Sequence, residues 1–493
     1  MHRLRAGLLS PDQHRVRGLR GATSPPRTPR AGRRRHRARD GHRPRGPTSR
    51  PAVHRGRDPA RRRPAHPRPH PPGVRRGAHR RSGDGALACH RNGPSRKPNR
   101  RTGFRAVRKR GAAVNPASGL RTAWVAGVGM HPYQRPGDTP YTELGVTAIR
   151  EALADAGMSW GRVQTAYTGT ATTSMALSRL MYRHLGATGI PMMQIENASA
   201  SGSTAFRQAY LDVAAGVHDV AIAVGVDKPL HVSFPAHAAG LTDLLGTRVA
   251  PVTHFALLAS RYMHETGVTA EQVAQVAVKN SRNAVSNPHA QRRKARSLED
   301  VLTPPYISGS LTRLQCCPIS EGAAAAIIVS DNAIRELGLD RDRAVRIRSS
   351  ALRSETFYGT ENFDVALTAT TTREALTSAG LRISEVDLIE LHDAFTIEEL
   401  LYLEAMGACE PGRAAAALAA GEFDIGGRVA VNTSGGLLSM GHPIGPTGIG
   451  QIVELTTQLR DEAGARQHPG ARIGLAHMVG VGAVCAVHVL AKD

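Results

Sequence analysis

The sequence predicts an α/β fold made of two related halves, each a β-sheet covered by α-helices. The first observation is a repeat, since Arg-Glu-Ala-Leu-Ala-Asp-Ala-Gly at 150–157 recurs as Arg-Glu-Ala-Leu-Thr-Ser-Ala-Gly at 373–380. The second is that a strand-like run follows each copy, at 164–169 and at 386–391. A recurring order of elements is what duplication of one supersecondary unit produces.

The surroundings of the two copies correspond as well. Apolar runs at 218–225 and 471–477 each follow a predicted helix that begins just after a turn of Asn with Gly and Ser. The alternative interpretation is two unrelated α/β segments with similar patterns. Because the order of elements agrees on both sides of the repeat, we favour two duplicated βαβ halves.

The remaining elements set the expected boundaries. An apolar run at 122–129 is the first predicted strand, and helical periodicity over 141–157 stops at a glycine, a natural helix end. Polar helices interrupted by proline, such as 269–283, indicate a loop domain inserted into the first half. The expected divisions are an N-terminal extension, a first half, its inserted loop domain and a second half, namely 1–118, 119–330, about 229–312 and 331–493.

The positive charge of the chain is concentrated in its first quarter. The formal net charge is +25, but residues 1–120 carry 34 lysines and arginines against four aspartates and no glutamate. The rest of the chain carries 31 basic and 36 acidic residues, so the predicted α/β part is slightly acidic. The first segment is rich in Arg, Pro, Gly and His. It has too few large apolar residues to offset chain entropy, so we expect 1–118 to be disordered.

Three interpretations of this basic extension compete. They are an arm that binds nucleic acid through phosphate contacts, an arginine-rich organellar presequence, and translated upstream sequence ahead of a true start near Val114. The segment shows no nucleic-acid-binding motif and lacks the amphipathic pattern of a presequence. We therefore favour the third interpretation, assign no function to residues 1–113 and expect no nucleic-acid partner.

Composition also bears on the compartment. No run of 18 apolar residues and no secretory apolar region occur, so neither a membrane span nor secretion is expected. The five cysteines do not make a disulfide framework in a chain of this length, and no pair has zinc-ligand spacing. We expect a protein of the reducing cytoplasm with no bound metal.

The first turn suited to chemistry follows a short predicted strand. Glu-Asn-Ala-Ser-Ala-Ser-Gly at 196–202 leads into a helix. The N-terminus of a helix offers free N–H groups and the positive end of its dipole, which activate a nucleophile and stabilise an oxyanion. Ser199 lies at the apex, and Asn197 supports the turn. The alternative is that these serines only cap the helix.

A second turn is rich in glycine. Val-Asn-Thr-Ser-Gly-Gly at 431–436 is followed by Gly-His-Pro-Ile-Gly at 441–445. Such a density of glycine lets a backbone come close to a ligand. A lone histidine is more often structural, but the glycine and proline around His442 hold it on a loop, which favours a functional role. Asn432 and Gly441 are expected to shape this loop.

Two further segments place histidines near strand ends, where α/β sheets bind their ligands. Glu-Leu-His-Asp-Ala-Phe-Thr at 390–396 contains His392, and Ala-His-Met-Val-Gly-Val-Gly at 476–482 contains His477 and ends at Gly482, which is expected to support the site loop. Each segment alone has the ordinary interpretation of a turn after a strand. Together with the two turns they supply three histidines and two helix N-termini, a set suited to stabilising a thioester oxyanion and an enolate.

These motifs resemble those of a known family. Asn-Thr-Ser-Gly-Gly at 432–436 with the Gly-His-Pro-Ile-Gly motif is similar to the C-terminal signature of the thiolase superfamily. Cys-Cys-Pro-Ile-Ser-Glu-Gly-Ala at 316–323, with the segments around His392 and His477, resembles its sterol-carrier-protein-type thiolases and lipid-transfer proteins. The resemblance covers about 120–493. It implies the five-layer αβαβα thiolase fold, a coenzyme A site near the loop domain and at least a homodimer.

The resemblance also implies roles for the site residues. The family carries a cysteine where Ser199 stands, and that cysteine takes the acyl group. His442 matches the histidine that helps to activate it, while His392 and His477 match positions that contribute to oxyanion holes. The family's second cysteine, which acts as acid and base, is Ala394 here.

These two replacements bear on the reaction. A thiol is partly ionised at neutral pH and strongly nucleophilic, whereas a serine needs a well-placed base. Ser199 with the help of His442 can still form an ester, but thiolysis lacks its usual proton carrier at Ala394. We predict an acyltransferase-like enzyme of lipid or related acyl-CoA metabolism that makes or breaks a C–C bond next to a CoA thioester. Thiolysis should be weak, the CoA thioester is the substrate, and no cofactor is permanently bound.

Two alternatives stay open. Retro-aldol cleavage of a 3-hydroxyacyl-CoA needs a base and an oxyanion hole but no covalent step, and some lipid-transfer-type relatives carry it out with a zinc-ribbon/OB-fold partner. Those relatives usually have Tyr where His392 stands. The other alternative is a non-catalytic protein that binds or transfers acyl-CoA or lipid. The expected partners are therefore a CoA ester, a second copy of the chain and, for an aldolase, the zinc-ribbon/OB-fold protein.

Overall fold

The structure is a computed structural model that describes residues 119–173, 175–229, 250–356, 363–480 and 484–493. The extension predicted to be disordered, 1–118, lies outside the described residues, and so does the candidate site residue Gly482. Among the helices of the described ranges, none is both long enough and apolar enough to span a bilayer.

The first half and its insertion contain both strands and helices. The chain begins with β1 (Ala123–Gln134), α1 (Tyr141–Asp155), β2 (Thr165–Gly169), α2 (Leu177–Tyr182), β3 (Met192–Ile195), α3 (Ser201–Ala214) and β4 (Val220–Asp227). The insertion follows with α4 (Pro251–Thr266), α5 (Ala270–Asn283), α6 (Leu298–Leu302), β5 (Tyr306–Ser308) and β6 (Leu311–Thr312). The half ends with β7 (Glu321–Ser330).

The second half repeats the pattern without a comparable insertion between its last strands. It consists of α7 (Asp331–Leu337), β8 (Val345–Ser354), α8 (Phe363–Ala379), β9 (Leu388–Glu390), α9 (Thr396–Met406), α10 (Ala414–Ala419), β10 (Ala430–Val431), α11 (Gly436–Ser439), α12 (Thr447–Leu459), β11 (Ile473–Gly480) and β12 (Val484–Ala491).

The strand order shows the duplication directly. Read from its outer edge inward, the first half has the strand order β3-β2-β4-β7-β1, and the second half has β10-β9-β11-β12-β8. Strands at the same place in the two orders correspond to each other. In each half the three outermost strands pair parallel with one another. The fourth strand, β7 or β12, pairs antiparallel with both of its neighbours. The repeated segments at 150–157 and 373–380 form the ends of α1 and α8, which precede the equivalent strands β2 and β9. The predicted duplication is confirmed.

The two half-sheets join along one short seam. β1 and β8 pair antiparallel where Trp124 and Val125 lie opposite Arg346 and Val345, which links the halves into one ten-stranded sheet. Helices α3 and α12 pack on each other and on strands of both halves, so they form the central layer. Helix α1 covers the outer face of the first half-sheet, and α8 covers that of the second. The predicted five-layer αβαβα fold is confirmed.

The central layer is packed on small residues. Gly202 at the start of α3 and Gly225 in β4 both face the loop before α12, and side-chain atoms there would collide with it. A Cβ atom on Gly225 would come within 2.3 Å of Pro446 Cα, and one on Gly202 within 2.4 Å of the Gly445 carbonyl oxygen. Glycine at these positions therefore lets the second half's loop approach the first half at backbone distance.

Replacing Gly225 with alanine tests this close packing. Because both contacted groups are backbone atoms that cannot rotate away, we expect Gly225→Ala to lower the free energy of unfolding by about 1–3 kcal/mol. Chemical denaturation followed by circular dichroism measures it. The control is Gly161→Ala, where a Cβ atom meets nothing within 4 Å. Equal stability of the two variants would contradict the packing described.

Candidate active site

The turn that carries Ser199 joins β3 to α3. Ala198 adopts a left-handed backbone conformation with φ +49°. The Ser201 hydroxyl accepts a hydrogen bond from the Asn197 backbone N–H at 2.8 Å and donates to the Ala198 carbonyl at 2.6 Å. The Asn197 side-chain amide donates to Thr204 Oγ1 at 3.0 Å. Asn197 is therefore committed to holding the turn, and the 3 % exposed Ser199 is left at its apex.

The Ser199 hydroxyl reaches across to the second half of the chain. Ser199 Oγ lies 3.0 Å from His442 Nε2, although 243 positions separate the two residues in sequence. Helix α3 has no side-chain cap at its N-terminus. The interpretation that this serine only caps the helix therefore does not describe Ser199, whose hydroxyl is bound to an imidazole.

The hydrogen bonds around His442 fix its tautomer. Thr447 Oγ1 lies 2.9 Å from His442 Nδ1 and donates to the Pro443 carbonyl at 2.9 Å. A threonine hydroxyl has one hydrogen, so Thr447 must accept the bond from His442, which carries its proton on Nδ1. The other nitrogen, Nε2, is then an acceptor, and Ser199 donates to it. This is the arrangement of a nucleophile and its general base.

The protonation state of His442 supports the same role. Burial lowers the pKa of His442 well below its usual value, and the neighbouring imidazole of His392 lowers it further. The imidazole is therefore neutral at physiological pH, with its Nε2 lone pair ready to accept a proton.

A buried carboxylate and a glycine hold the loop of His442 in place. Asp227, at the end of β4, accepts hydrogen bonds from Gly445 N at 2.5 Å and from Thr170 Oγ1 at 2.8 Å. Gly441 has φ +114°, and a Cβ atom there would lie 2.8 Å from Ser320 Oγ. Ser320 Oγ in turn accepts the His442 backbone N–H at 3.0 Å. The loop is thus tied to the first half on both sides of the imidazole.

His392 lies directly against His442. The two ring centroids are 5.3 Å apart at an interplanar angle of 86°. His392 Nδ1 lies 3.0 Å from Glu398 Oε1 on α9, while Glu398 Oε2 accepts the Phe395 backbone N–H at 2.8 Å. The other nitrogen, His392 Nε2, is buried and has no hydrogen-bond partner among the described residues. An atom of a bound ligand would supply the missing partner.

His477 does not join this group by direct contact. It is fully buried in β11, its Nε2 lies 2.9 Å from Thr368 Oγ1 on α8, and its ring lies 5.0 Å from that of Tyr402. The Tyr402 hydroxyl lies 3.0 Å from Glu398 Oε1. The structure therefore brings Ser199 and His442 together with His392, while the described contacts of His477 are with Thr368 and Tyr402.

Asn432 supports the site from the backbone. It has φ +53°, and its side chain bridges two segments. Its Oδ1 accepts the Leu391 backbone N–H at 2.9 Å, and its Nδ2 donates to Glu399 Oε2 at 2.9 Å. Asn432 thereby fixes the end of β10 against the residue that precedes His392. Such cross-links set the geometry of a site without touching a ligand.

A cleft lined by arginines opens beside the site. Its volume is about 930 Å³, and the segment 316–319 forms part of its wall. Four guanidinium groups line it: Arg135, Arg292, Arg296 and Arg313. Guanidinium groups bind phosphate bidentately, so the cleft can hold the phosphates of a coenzyme. The family resemblance implied a coenzyme A site near the loop domain, but none of these arginines was predicted from the sequence, although the basic run 292–296 in a slightly acidic domain was a signal for them.

The Thr447 hydroxyl can be tested without knowing the substrate. Because it accepts the His442 Nδ1 proton, Thr447→Val removes the group that fixes the tautomer. We expect labelling of Ser199 by a fluorophosphonate to slow about 10²-fold, the usual scale of a general-base contribution. Thr457→Val is the control, since its hydroxyl bonds the Val453 carbonyl on the far part of α12. Equal labelling rates would contradict the tautomer assignment.

Buried His477 should make the protein sensitive to acid. Burial lowers its pKa to about 3 in the folded protein, while an unfolded chain binds that proton below about pH 6.5. Its contribution to stability is therefore complete above pH 6.5 and is lost as the pH falls toward 3. In His477→Leu we expect the free energy of unfolding to decrease less steeply as the pH falls from 6.5 to 3, with a slope smaller than that of the wild type by at most about 1.4 kcal/mol per pH unit. Urea denaturation over this pH range measures the slope, and an unchanged slope would refute the expectation.

Comparison with known proteins covers both halves. Residues 118–332 match the thiolase N-terminal domain, and residues 349–492 match the thiolase C-terminal domain-like model. Sterol carrier protein 2 of Bos taurus is 36% identical over 388 residues, which cover 74% of this chain and 71% of the relative. The benzoylsuccinyl-CoA thiolase subunit BbsB of Thauera aromatica is 35% identical over 371 residues, covering 73% of this chain and 95% of the relative.

Solved structures agree with the fold. The Ltp2-ChsH2(DUF35) aldolase matches with a TM-score of 0.66 at 26% identity, covering 76% of this chain and 99% of that one. Human mitochondrial 3-ketoacyl-CoA thiolase in complex with CoA matches with a TM-score of 0.60 at 16% identity, covering 76% and 99%. The chain belongs to the thiolase superfamily, in the subgroup of sterol-carrier-protein-type thiolases and lipid-transfer proteins.

Proposed function

We propose that this protein makes or breaks a carbon–carbon bond next to a coenzyme A thioester, with Ser199 as nucleophile and His442 as its base. The observation that carries the proposal is the 3.0 Å contact between Ser199 Oγ and His442 Nε2, with the tautomer of His442 fixed by Thr447. A serine needs such a base to become nucleophilic, and here the base is neutral and correctly oriented.

The substrate class follows from the cleft and the family. Its arginines offer charge-assisted hydrogen bonds to the phosphates of coenzyme A, and its wall at 316–319 lies beside the loop of Ala394 and the loop of His442. A thioester held by its phosphates would therefore extend its acyl end toward Ser199. Benzoylsuccinyl-CoA thiolase and acetyl-CoA acetyltransferase, the latter 36% identical in Methanothermobacter thermautotrophicus, are relatives named for such chemistry.

The proposed cleavage runs through an acyl-serine. Ser199 Oγ attacks the C3 carbonyl of a 3-ketoacyl-CoA, and His442 Nε2 takes the hydroxyl proton. The C2–C3 bond then breaks, its electron pair goes to C2 as the enolate of the shortened CoA ester, and the acyl group stays on Ser199. The thiol of a second coenzyme A then attacks the acyl-serine and forms acyl-CoA, and Ser199 takes back the proton held by His442. The proton lost by that thiol balances the one that C2 of the enolate gains. His392 Nε2 is the free ring nitrogen beside this reaction.

Retro-aldol cleavage is the second candidate, favoured by the alanine at 394. Its methyl group cannot carry the proton that thiolysis moves there, while a 3-hydroxyacyl-CoA needs only a base for its hydroxyl and stabilisation of the enolate. His442 Nε2 would take that hydroxyl proton, and the C2–C3 bond would break to a carbonyl product and an enolate. A structural relative at 26% identity is an aldolase named with a DUF35 component, so this candidate includes a zinc-ribbon/OB-fold partner.

The proposed assembly and location rest on separate features. β3 is one of the two outer strands of the sheet, with Met192 and Met193 39% and 53% exposed, so we propose that a second copy of the chain covers this edge. Cys316 and Cys317, like the other cysteines of the described ranges, are free thiols, which fits the reducing cytoplasm that we propose as its location.

Replacement of Ser199 tests the function. With a 3-ketoacyl-CoA and coenzyme A, we expect the wild type to show an acyl adduct on Ser199 by intact-protein mass spectrometry. Ser199→Ala should lose the adduct and slow thiolysis about 10³-fold or more. Ser199→Cys should increase the rate of thiolysis, because a thiol is the better nucleophile. Ser260→Ala is the control, since its hydroxyl bonds the Ala256 carbonyl on α4, outside the site.

The same variants separate the alternatives. Cleavage of a branched 3-hydroxyacyl-CoA that persists in Ser199→Ala would favour the retro-aldolase, especially if it depends on a co-expressed zinc-ribbon/OB-fold protein. If the wild type binds CoA esters tightly but yields neither thiolysis nor aldol product, the result would favour the hypothesis of a non-catalytic transfer protein.

A further inference from the structure

The proposed reaction leaves one proton without a carrier. When the C2–C3 bond breaks, the enolate carbon must be protonated, and the thiol of the incoming coenzyme A must lose its proton. At position 394 the side chain is a buried methyl group that can do neither. The group that moves these protons must therefore come from another segment that reaches the same pocket.

The segment 316–320 runs between the two site loops. The Cys317 backbone N–H donates to the Ala394 carbonyl at 2.8 Å, and Cys316 pairs with Phe395 in an isolated antiparallel bridge. At its other end, Ile319 pairs with the His442 backbone, next to the Ser320 hydroxyl that accepts the His442 N–H. The backbone of this segment therefore contacts both the loop of Ala394 and the loop of His442.

Cys317 is the better placed of the two adjacent cysteines. Cys317 lies beside Ala394 through its backbone and lines the arginine cleft. The Cys316 thiol instead donates to the Thr312 carbonyl at 3.4 Å, which ties it to the preceding turn.

We infer that Cys317 is a catalytic acid and base of the proposed reaction and supplies the thiol that position 394 lacks. In the cleavage direction its S–H gives a proton to C2 of the enolate, and the resulting thiolate takes the proton of the incoming coenzyme A thiol. Its S–H is thereby restored, and no other reactant is needed. The inference rests on the proposed carbon–carbon bond chemistry.

The electrostatic surroundings suit a proton donor. Burial raises the pKa of the Cys317 thiol far above its usual value, and the carboxyl groups of Glu398 and Asp393 raise it further, against a smaller opposing effect of Arg292. The thiol is therefore protonated at neutral pH, which is the state needed when the enolate forms. This environment is wrong for a nucleophile, so the acyl group belongs on Ser199.

A second observation points to a ligand in the same place. His392 is 2% exposed, its Nδ1 is taken by Glu398, and its buried Nε2 has no partner among the described residues. Glu398 also lies close enough to Cys317 to raise the pKa of its thiol. His392 also lies two residues before Ala394, whose carbonyl accepts the Cys317 N–H, so an enolate held at this loop would offer an oxygen to His392 Nε2 and a carbon to the Cys317 thiol.

Hydrogen exchange at C2 of acetyl-CoA tests the assignment. In D₂O, an enzyme that removes and returns the C2 proton incorporates deuterium into the acetyl group, which mass spectrometry detects without any carbon–carbon bond step. We expect Cys317→Ala to slow this exchange about 10²-fold, the scale of a general acid–base group. Cys317→Ser, which keeps the shape of the side chain, should lose it to a similar extent. Cys409→Ala is the matched control, a half-buried thiol after α9 that is remote from the cleft.

Rescue separates a catalytic thiol from a structural one. Adding Ala394→Cys to Cys317→Ala should restore exchange to within about tenfold of the wild type, because the second thiol takes over the same proton. Exchange at the wild-type rate by folded Cys317→Ala or Cys317→Ser, with folding checked by melting temperature, overturns the assignment while leaving the proposed function intact. A wild type that shows neither exchange nor thiolysis overturns both, so the two failures are distinct.

Discussion

The contact between Ser199 and His442 is the constraint on which the rest of the site depends. The two residues belong to different halves, so the halves must be held at a fixed distance for one hydrogen bond of 3.0 Å to form. The central helices α3 and α12 provide this by packing against each other. Asp227 fastens the loop of Gly445 to the first half, and Gly225 lets that loop approach at backbone distance. The duplicated fold thus holds the Ser199 hydroxyl and the His442 imidazole, one from each half, at hydrogen-bond distance.

Burial shifts the pKa values of the groups around this contact in opposite directions, depending on which of their forms is charged. Removal from water disfavours the charged form, so it lowers the pKa of His442 and raises that of the Cys317 thiol. One group is thereby left as a neutral base and the other as a neutral acid. In the proposed reaction the same desolvation helps Ser199 to act as a nucleophile, because its hydroxyl proton has an uncharged, oriented acceptor next to it.

A second row of side chains supports the first. His392 is held by Glu398, and the Tyr402 hydroxyl that contacts Glu398 also donates to the Asp364 carboxylate at 2.8 Å. His477 packs its ring against Tyr402. The hydrogen bonds of these buried groups hold His392 and Glu398 in place, while His392 Nε2 keeps no partner among the described residues. His477 thus contributes to the position of Tyr402, which contacts Glu398.

The sequence by itself determined the duplication, the helix and strand around each repeated segment, and the turns of Ser199 and His442, because repeats, glycine-rich turns and apolar periodicity are local properties. The division at 330/331 and the disorder of the basic extension stay predictions. Only the tertiary structure decided that Thr447 fixes the tautomer of His442, that His477 packs against Tyr402, that arginines meet in one cleft, and that Cys317 lies beside Ala394. These are contacts between residues far apart in sequence, and their partners are set by how the layers pack.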